Sequence, residues 1–241
     1  MTTKEAKMKQ YLGLTVMLCL FLSVMPAMAV PNLQVWSPNA TSAGDSGSDE
    51  DTWFVSGTPF DLWVIGDGPQ TTSIANLTLI ASVPQGSTGS ITIDSLVPTN
   101  PGGTPYDTKG MFMPFSANNH YPFQDSVSDF IVYSIGSFSG PKVAVSDYNA
   151  ETGIIGVDAG EGWVTKFLGV TFSGFDGQLH FDAIGEVTRN QGQSTTTFWD
   201  INPGSHDVST NGTNGVPEPS SLLLLGIGLI GLWGFRRKFK K

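Results

Sequence analysis

Short segments of alternating apolar and polar residues fill the chain between residues 30 and 215, and this region shows no sustained helical period. Phe60, Leu62 and Val64 alternate in this way, and the run Gly66–Pro69 that follows them is a strong turn signal. Closely spaced strands without intervening helices bury their apolar faces against each other, so the sequence predicts an all-β fold, an antiparallel β-sandwich. A closed β-barrel is the alternative.

Two segments predict which side chains face the core. In Gly162–Phe172 the mostly apolar face is predicted to point inward, and it carries Val164, Lys166, Leu168, Val170 and Phe172. In the next segment Leu179, Phe181 and Ala183 are predicted to point inward, and His180 and Asp182 outward.

The charge of the central region limits its partners. Residues 31–215 contain four Lys and Arg against 19 Asp and Glu, a net charge of −15. A domain this acidic does not neutralise phosphates, so we expect no nucleic-acid partner. The acidity is typical of a soluble protein and also favours divalent cations.

The first 29 residues are typical of a secretory signal peptide. Lys4, Lys7 and Lys9 precede an apolar run, and Ala27 and Ala29 are the small residues that a signal peptidase reads, so cleavage is predicted after Ala29. Cleavage removes the single cysteine of the chain, so the exported domain is expected to fold without a disulfide.

The last 26 residues contain three parts in a fixed order. Val216, Pro217, Glu218 and Pro219 form a short motif that the prolines keep extended. Residues 220–235 are uncharged and mostly apolar, and as a helix they would span roughly 24 Å, slightly less than a usual membrane crossing. The basic residues that end the chain, and that favour the cytoplasmic side of a membrane, are Arg236, Arg237, Lys238, Lys240 and Lys241.

This order of motif, apolar helix and basic cluster resembles the PEP-CTERM sorting signal. The resemblance implies that an exosortase, a membrane protease-transpeptidase, recognises the motif and processes the tail of a protein exported by a Gram-negative bacterium. It implies an inner-membrane anchor before processing, and afterwards a location on the cell surface or in the extracellular matrix. An uncut tail anchor is the alternative.

The central region resembles the choice-of-anchor N family of bacterial surface proteins. The segments that carry this resemblance are Asp49–Trp53, Val83–Gly86, His180–Ala183 and Asn202–Asp207. The family has no established activity, so the resemblance carries none over to this chain.

Four parts of the chain are therefore predicted. They are a signal peptide at 1–29, a β-sandwich domain at 30–205, a flexible linker at 206–215 and a sorting and anchor segment at 216–241.

No catalytic residues are predicted. His120, His180 and His206 lie in different segments and none has a histidine four residues away, as a zinc-binding helix requires. The run Gly136–Gly140 has the glycine spacing of a nucleophile elbow, but Phe138 stands where that motif needs serine.

The acidic loop between residues 45 and 51 is the strongest candidate for a cation site in the sequence. Asp45, Asp49 and Asp51 could supply carboxylate ligands to Ca²⁺, although the spacing does not fit an EF-hand. A solvated acidic loop without metal is the alternative. Asp147, Asn149 and Asp158 form a weaker candidate.

The sequence thus favours an exported, exosortase-sorted protein without catalytic activity, structural or adhesive in the exopolysaccharide layer. The expected processing partners are exosortase and signal peptidase, with residues 220–235 in the membrane. The alternatives are a surface module that binds a glycan or another surface protein, with tryptophans as sugar platforms, and a secreted hydrolase.

Overall fold

The structure, a computed structural model, describes residues 31–45, 51–68, 70–115, 120–138 and 140–211. The signal-peptide, sorting-motif, apolar-run and basic-cluster predictions fall outside these ranges. No helix in the described ranges has the length and apolar character needed to cross a membrane.

Twelve β-strands and three single 3-10 turns make up the secondary structure of the described residues. The strands are β1 (Leu33–Trp36), β2 (Ala40–Asp45), β3 (Asp51–Val55), β4 (Phe60–Gly66), β5 (Thr71–Pro84), β6 (Ser90–Thr92), β7 (Ser128–Phe138), β8 (Val143–Asn149), β9 (Ile154–Ser173), β10 (Gln178–Gln191), β11 (Ser194–Ile201) and β12 (Val208–Asn211). The 3-10 turns are Pro101–Gly103, Lys109–Met111 and Gly204–His206.

The strands form two sheets that do not close on themselves. One sheet has the order β1-β4-β9-β6, with β8 also paired to β9. The other has the order β2-β3-β12-β10-β5-β7, with β11 also paired to β10. All pairs are antiparallel except β12 with β3, which are parallel. The sandwich prediction is therefore confirmed and the barrel alternative is not.

Apolar side chains from both sheets meet in one buried core, as the period-two pattern predicts. Phe60 on β4 packs edge-on against Phe181 on β10, with ring centroids 5.8 Å apart. The indole N–H of Trp53 on β3 donates to the carbonyl of Tyr148 on β8 at 2.8 Å. These contacts join opposite sheets, so burial and a buried hydrogen bond hold the sandwich together without a disulfide.

The prediction of which side chains of β9 face the core is wrong for the part of the strand before Gly169, because the strand contains a bulge there. Val170 and Phe172 are buried as predicted, but Phe167 is buried in place of Leu168, whose side chain is 64% exposed. The pairing of β4 with β9 shifts register at this point, with Gly169 at φ +65°. One extra residue in a strand moves the following side chains to the opposite face, which reverses the alternation.

The seven-stranded sheet is also covered on the face turned away from the sandwich core. An outer layer, residues 98–115 and 120–127, packs on that face and is joined to β7 by reciprocal backbone hydrogen bonds between Tyr106 and Phe130 of 2.8 Å each. The second apolar cluster between this layer and the sheet contains Ile80, Phe123, Phe130 and Ile184, with Tyr106, Phe112, Met113, Phe115, Trp199 and Ile201 packed against them. Side chains of β10 that point out of the sandwich are therefore buried.

The predicted flexible linker begins too early. Residues 204–206 form a 3-10 turn, and β12 follows and pairs with β10 on one side and β3 on the other. Val208, Ser209 and Thr210 are buried there. The folded domain thus extends to Asn211, because a polar segment can fill a central strand when both neighbouring strands satisfy its backbone groups.

Candidate metal centre

Four titratable side chains meet between the seven-stranded sheet and the outer layer. His180 and Asp182 are two residues apart on β10, so both point out of the sandwich on the same face. Asp207 lies directly before β12, and its carbonyl accepts the backbone N–H of Trp53 at 3.2 Å. His120 comes from the outer layer, where its ring stacks on Phe123 with centroids 5.5 Å apart.

The donor atoms of these four residues converge on a single point, all within 4.8 Å of one another. The two imidazole Nε2 atoms of His120 and His180 lie 3.2 Å apart. His120 Nε2 is 3.0 Å from Asp182 Oδ1 and 3.6 Å from Asp207 Oδ2. His180 Nε2 is 3.4 Å from Asp182 Oδ2 and 3.2 Å from Asp207 Oδ2. We call these four residues the His/Asp cluster.

Neighbouring polar groups orient two members of the His/Asp cluster. The Nδ1 atom of His180 lies 2.7 Å from Ser209 Oγ, which leaves Nε2 to face the cluster. Asn202 donates from its side-chain amide to Asp182 Oδ1 at 3.1 Å and accepts the backbone N–H of Ala183 at 2.5 Å. These bonds fix a ring and a carboxylate in the orientation that points their remaining atoms inward.

The cluster is almost closed to solvent. The side chain of His120 is 12% exposed, those of His180 and Asp182 are 0% exposed, and that of Asp207 is 1% exposed. Asp182 Oδ2 and both carboxylate oxygens of Asp207 are buried without a hydrogen-bond partner. His180 Nε2 lies within ion-pair distance of both Asp207 Oδ2 and Asp182 Oδ2, but its single proton can serve only one of them, and Asp207 Oδ1 has no hydrogen-bond partner, although buried carboxylate oxygens are normally paired or bound to metal.

Burial and mutual charge act in opposite directions on the pKa values of the cluster. Burial disfavours the charged imidazole of His180, but Asp207 and Asp182 outweigh it and raise the pKa of His180 to about 10. Burial also lowers the pKa of His120, but the charge and hydrogen bond of Asp182 outweigh burial, so the pKa of His120 is raised. For Asp182, burial is outweighed by His180 and His120, which hold its pKa well below the usual range. For Asp207, burial prevails and raises the pKa.

A second hydrogen-bond chain lies next to the cluster and involves the third histidine. Ser205 Oγ is 2.9 Å from His206 Nδ1, and His206 Nε2 is 2.8 Å from Asp147 Oδ1. Burial lowers the pKa of His206, although the hydrogen bond to Asp147 opposes the shift. The hydroxyl of Ser205 is buried, and the chain of bonds fastens the turn before β12 to β8.

The described residues contain only part of the cation site that the sequence suggested. Asp51 begins β3 and is paired in register with Asp45 at the end of β2. Asp49 and the side chain of Asp45 lie outside the described residues, and Ca²⁺ binding there stays a prediction. In the weaker candidate, Asp147 contacts His206, and Asn149 Oδ1 accepts the backbone N–H of Thr152 at 3.2 Å.

Most tryptophans proposed as sugar platforms have no free ring face. Trp36, Trp53 and Trp163 are buried in the core. Trp63 is half-buried, with the ammonium of Lys166 3.8 Å from its ring centroid. Trp199 is half-buried and stacks on Phe115 of the outer layer.

Sequence reasoning placed His180 and Asp182 outside the sandwich core, which is where they point, but it missed that this face is covered. The outer layer has no regular period, so nothing in its sequence predicts that it packs on a sheet. His120 lies 60 residues before His180, and Asp207 lies 25 residues after Asp182. One local signal was available, because His-x-Asp in a strand puts an imidazole and a carboxylate side by side.

Comparison with known families identifies the tail. Residues 215–238 match the PEP-CTERM protein-sorting motif. The motif indicates an exported protein of Gram-negative bacteria that is processed at the membrane by an exosortase. No curated protein and no solved structure matches the chain. The resemblance of the central region to choice-of-anchor family N has no support from these comparisons and stays a prediction.

Proposed function

We propose that the β-sandwich is a non-catalytic structural or adhesive domain, displayed after sorting on the cell surface or in the exopolysaccharide layer. The observation that carries this proposal is the sorting motif at residues 215–238, since it commits the chain to export and tail processing. A signal peptide at residues 1–29 and a membrane segment at residues 220–235 complete the proposed route.

Two features of the folded domain support a role without catalysis. The residues best suited to acid–base chemistry, His180, Asp182 and Asp207, are fully or almost fully buried, so a polymeric substrate cannot reach them. Among the tryptophans, Trp36, Trp53 and Trp163 belong to the core. Burial of these six residues supports an architectural role for them.

Replacing the sorting motif tests the route. In the full chain, expressed in a host with its exosortase, changing Pro217, Glu218 and Pro219 together to alanine should leave the uncut tail in the membrane fraction. The melting temperature should not change, because the motif follows the last strand of the fold. Thr213→Ala, just before the motif, is the control and should be processed like the wild type.

Three outcomes would contradict the proposal. Normal tail processing of the triple variant would reduce the segment to a generic anchor. Wild-type protein found in the cytoplasm would exclude export. Turnover of polysaccharide or ester substrates by the released protein would exclude a non-catalytic role, whereas saturable binding to one purified glycan would favour the binding-module alternative.

A further inference from the structure

We propose that His120, His180, Asp182 and Asp207 bind one divalent transition-metal ion, with Zn²⁺ best suited, in a four-coordinate structural site. The proposal concerns the folded domain alone and goes beyond its sorting and display.

The spacing of the donor atoms fits tetrahedral coordination. Zn²⁺ binds imidazole nitrogen and carboxylate oxygen at roughly 2.0–2.2 Å, which places neighbouring ligands of a tetrahedron about 3.3–3.6 Å apart. The five distances that join the histidines to each other and to the aspartates range from 3.0 to 3.6 Å. Asp182 presents Oδ1 to His120 and Oδ2 to His180, and one donor atom from each of the four residues lies within 4.8 Å of the others, so the cluster holds its donors close to the separation in a tetrahedral zinc site and small side-chain shifts would complete it.

Hydrogen bonds alone do not satisfy the cluster. Both carboxylate oxygens of Asp207 and Asp182 Oδ2 are buried without a hydrogen-bond partner. The Nε2 atoms of His120 and His180 face each other at 3.2 Å, and two nitrogens can share only one proton along that line. A four-coordinate cation takes one lone pair from each of the four side chains, and it replaces the protons that otherwise balance the buried charge.

The donor set and its surroundings select the class of metal. Two imidazole nitrogens disfavour Ca²⁺ and Mg²⁺, which take oxygen ligands, and favour zinc and its neighbours. The Ser209 hydroxyl on His180 and the Asn202 amide on Asp182 are supporting contacts of the kind that orient metal ligands. Four protein ligands in a nearly closed site leave no position for a substrate, which is typical of structural zinc.

The ligands come from three separate parts of the fold. His180 and Asp182 belong to β10, Asp207 leads into β12, and His120 belongs to the outer layer. A metal ion would fasten the outer layer and the last strand to the centre of the seven-stranded sheet. Since the described domain contains no cysteine, the metal ion would provide the cross-link that exported proteins commonly obtain from disulfides.

The test uses the full chain in mild detergent, stripped with a chelator and then loaded with Zn²⁺. We expect one zinc per chain by elemental analysis, and a melting temperature roughly 8–16 °C higher at free zinc of about 1,000 times Kd. Loading with Co²⁺ should give the intense visible absorption of a tetrahedral site. Ca²⁺ and Mg²⁺ at matched ionic strength should produce neither effect.

Two variants locate the ion. His120→Gln should lose at least ten-fold in zinc affinity, and because this side chain is the most exposed of the four, the sandwich should still fold. The double variant Asp49→Asn with Asp51→Asn should bind zinc like the wild type. Folded wild-type protein that takes up no stoichiometric zinc, a Co²⁺ spectrum without tetrahedral bands, or undiminished binding by His120→Gln would each overturn the proposal.

Discussion

The last strand of the fold offers a sharp test of where the domain ends. A chain of residues 31–211 retains β12, and a chain of residues 31–205 lacks it. The order of the second sheet makes β12 the link between β3 and β10, so its removal separates the β2–β3 hairpin from the other strands of that sheet. We expect the longer chain to fold and the shorter one to lose cooperative folding.

The size of the effect follows from the pairing of β12. It pairs at four positions with β10 and at three with β3, seven in all. At about 1 kcal/mol net for each ladder hydrogen bond, the lost pairing destabilises the domain by roughly 7 kcal/mol. Burial of Val208 contributes roughly 2 kcal/mol more. The total of roughly 9 kcal/mol is comparable to the whole stability of an ordinary domain, about 5–15 kcal/mol.

Circular dichroism and thermal melts of the two purified chains measure this difference. Residues 31–211 should show a β-rich spectrum and one cooperative transition, and residues 31–205 should show no transition or a broad one. Ser209→Pro in the longer chain is a finer perturbation, since a proline in a strand with neighbours on both sides removes a ladder donor. If the shorter chain melts cooperatively within a few degrees of the longer one, β12 does not belong to the fold and the linker begins at residue 206.

Two substitution pairs test the close packing of β9. A Cβ on Gly162 would lie 2.2 Å from the backbone oxygen of Gly66. Gly162→Ala should therefore lower the free energy of unfolding by about 1–3 kcal/mol in a denaturant titration. Gly110 has open space around it, so Gly110→Ala should leave the free energy of unfolding almost unchanged. Phe167→Ala should lower the free energy of unfolding by about 3–5 kcal/mol, and Leu168→Ala by less than about 0.5 kcal/mol. Equal effects of these two substitutions would contradict the bulge.

The sequence predicted those features that depend on contiguous residues. Period-two alternation identified the strands and therefore the sandwich, and the tail was recognisable because its three parts follow one another directly. The inward face of β9 was predicted correctly only beyond Gly169. An extra residue in a strand does not change the apolar and polar pattern that the sequence shows, and here only the glycine, which adopts a positive φ, accompanies it.

The His/Asp cluster could not be predicted in the same way, since it depends on contacts between distant residues. Its members are brought together by the antiparallel pairing of β10 with β12, which sets His180 opposite Ser209, and by the packing of an irregular layer that carries His120. Neither the pairing of two polar segments nor the path of an irregular layer has a periodic signal in the sequence. The linker prediction is wrong over residues 206–211 for the same reason.

The last strand of the described residues, β12, ends close to the sorting motif in the sequence. Only residues 212–215 lie between β12 and Val216, and a fully extended chain places the Cα atoms of Asn211 and Val216 no more than about 18 Å apart. β12 is held from both sides, so its carboxyl end cannot move away from the sheet to extend this reach. We therefore expect an exosortase that acts after folding to work close to the surface of the domain. Because β12 joins β3 to β10, the second sheet is complete only after residues 208–211, shortly before the sorting motif, have been exported and have paired with both strands.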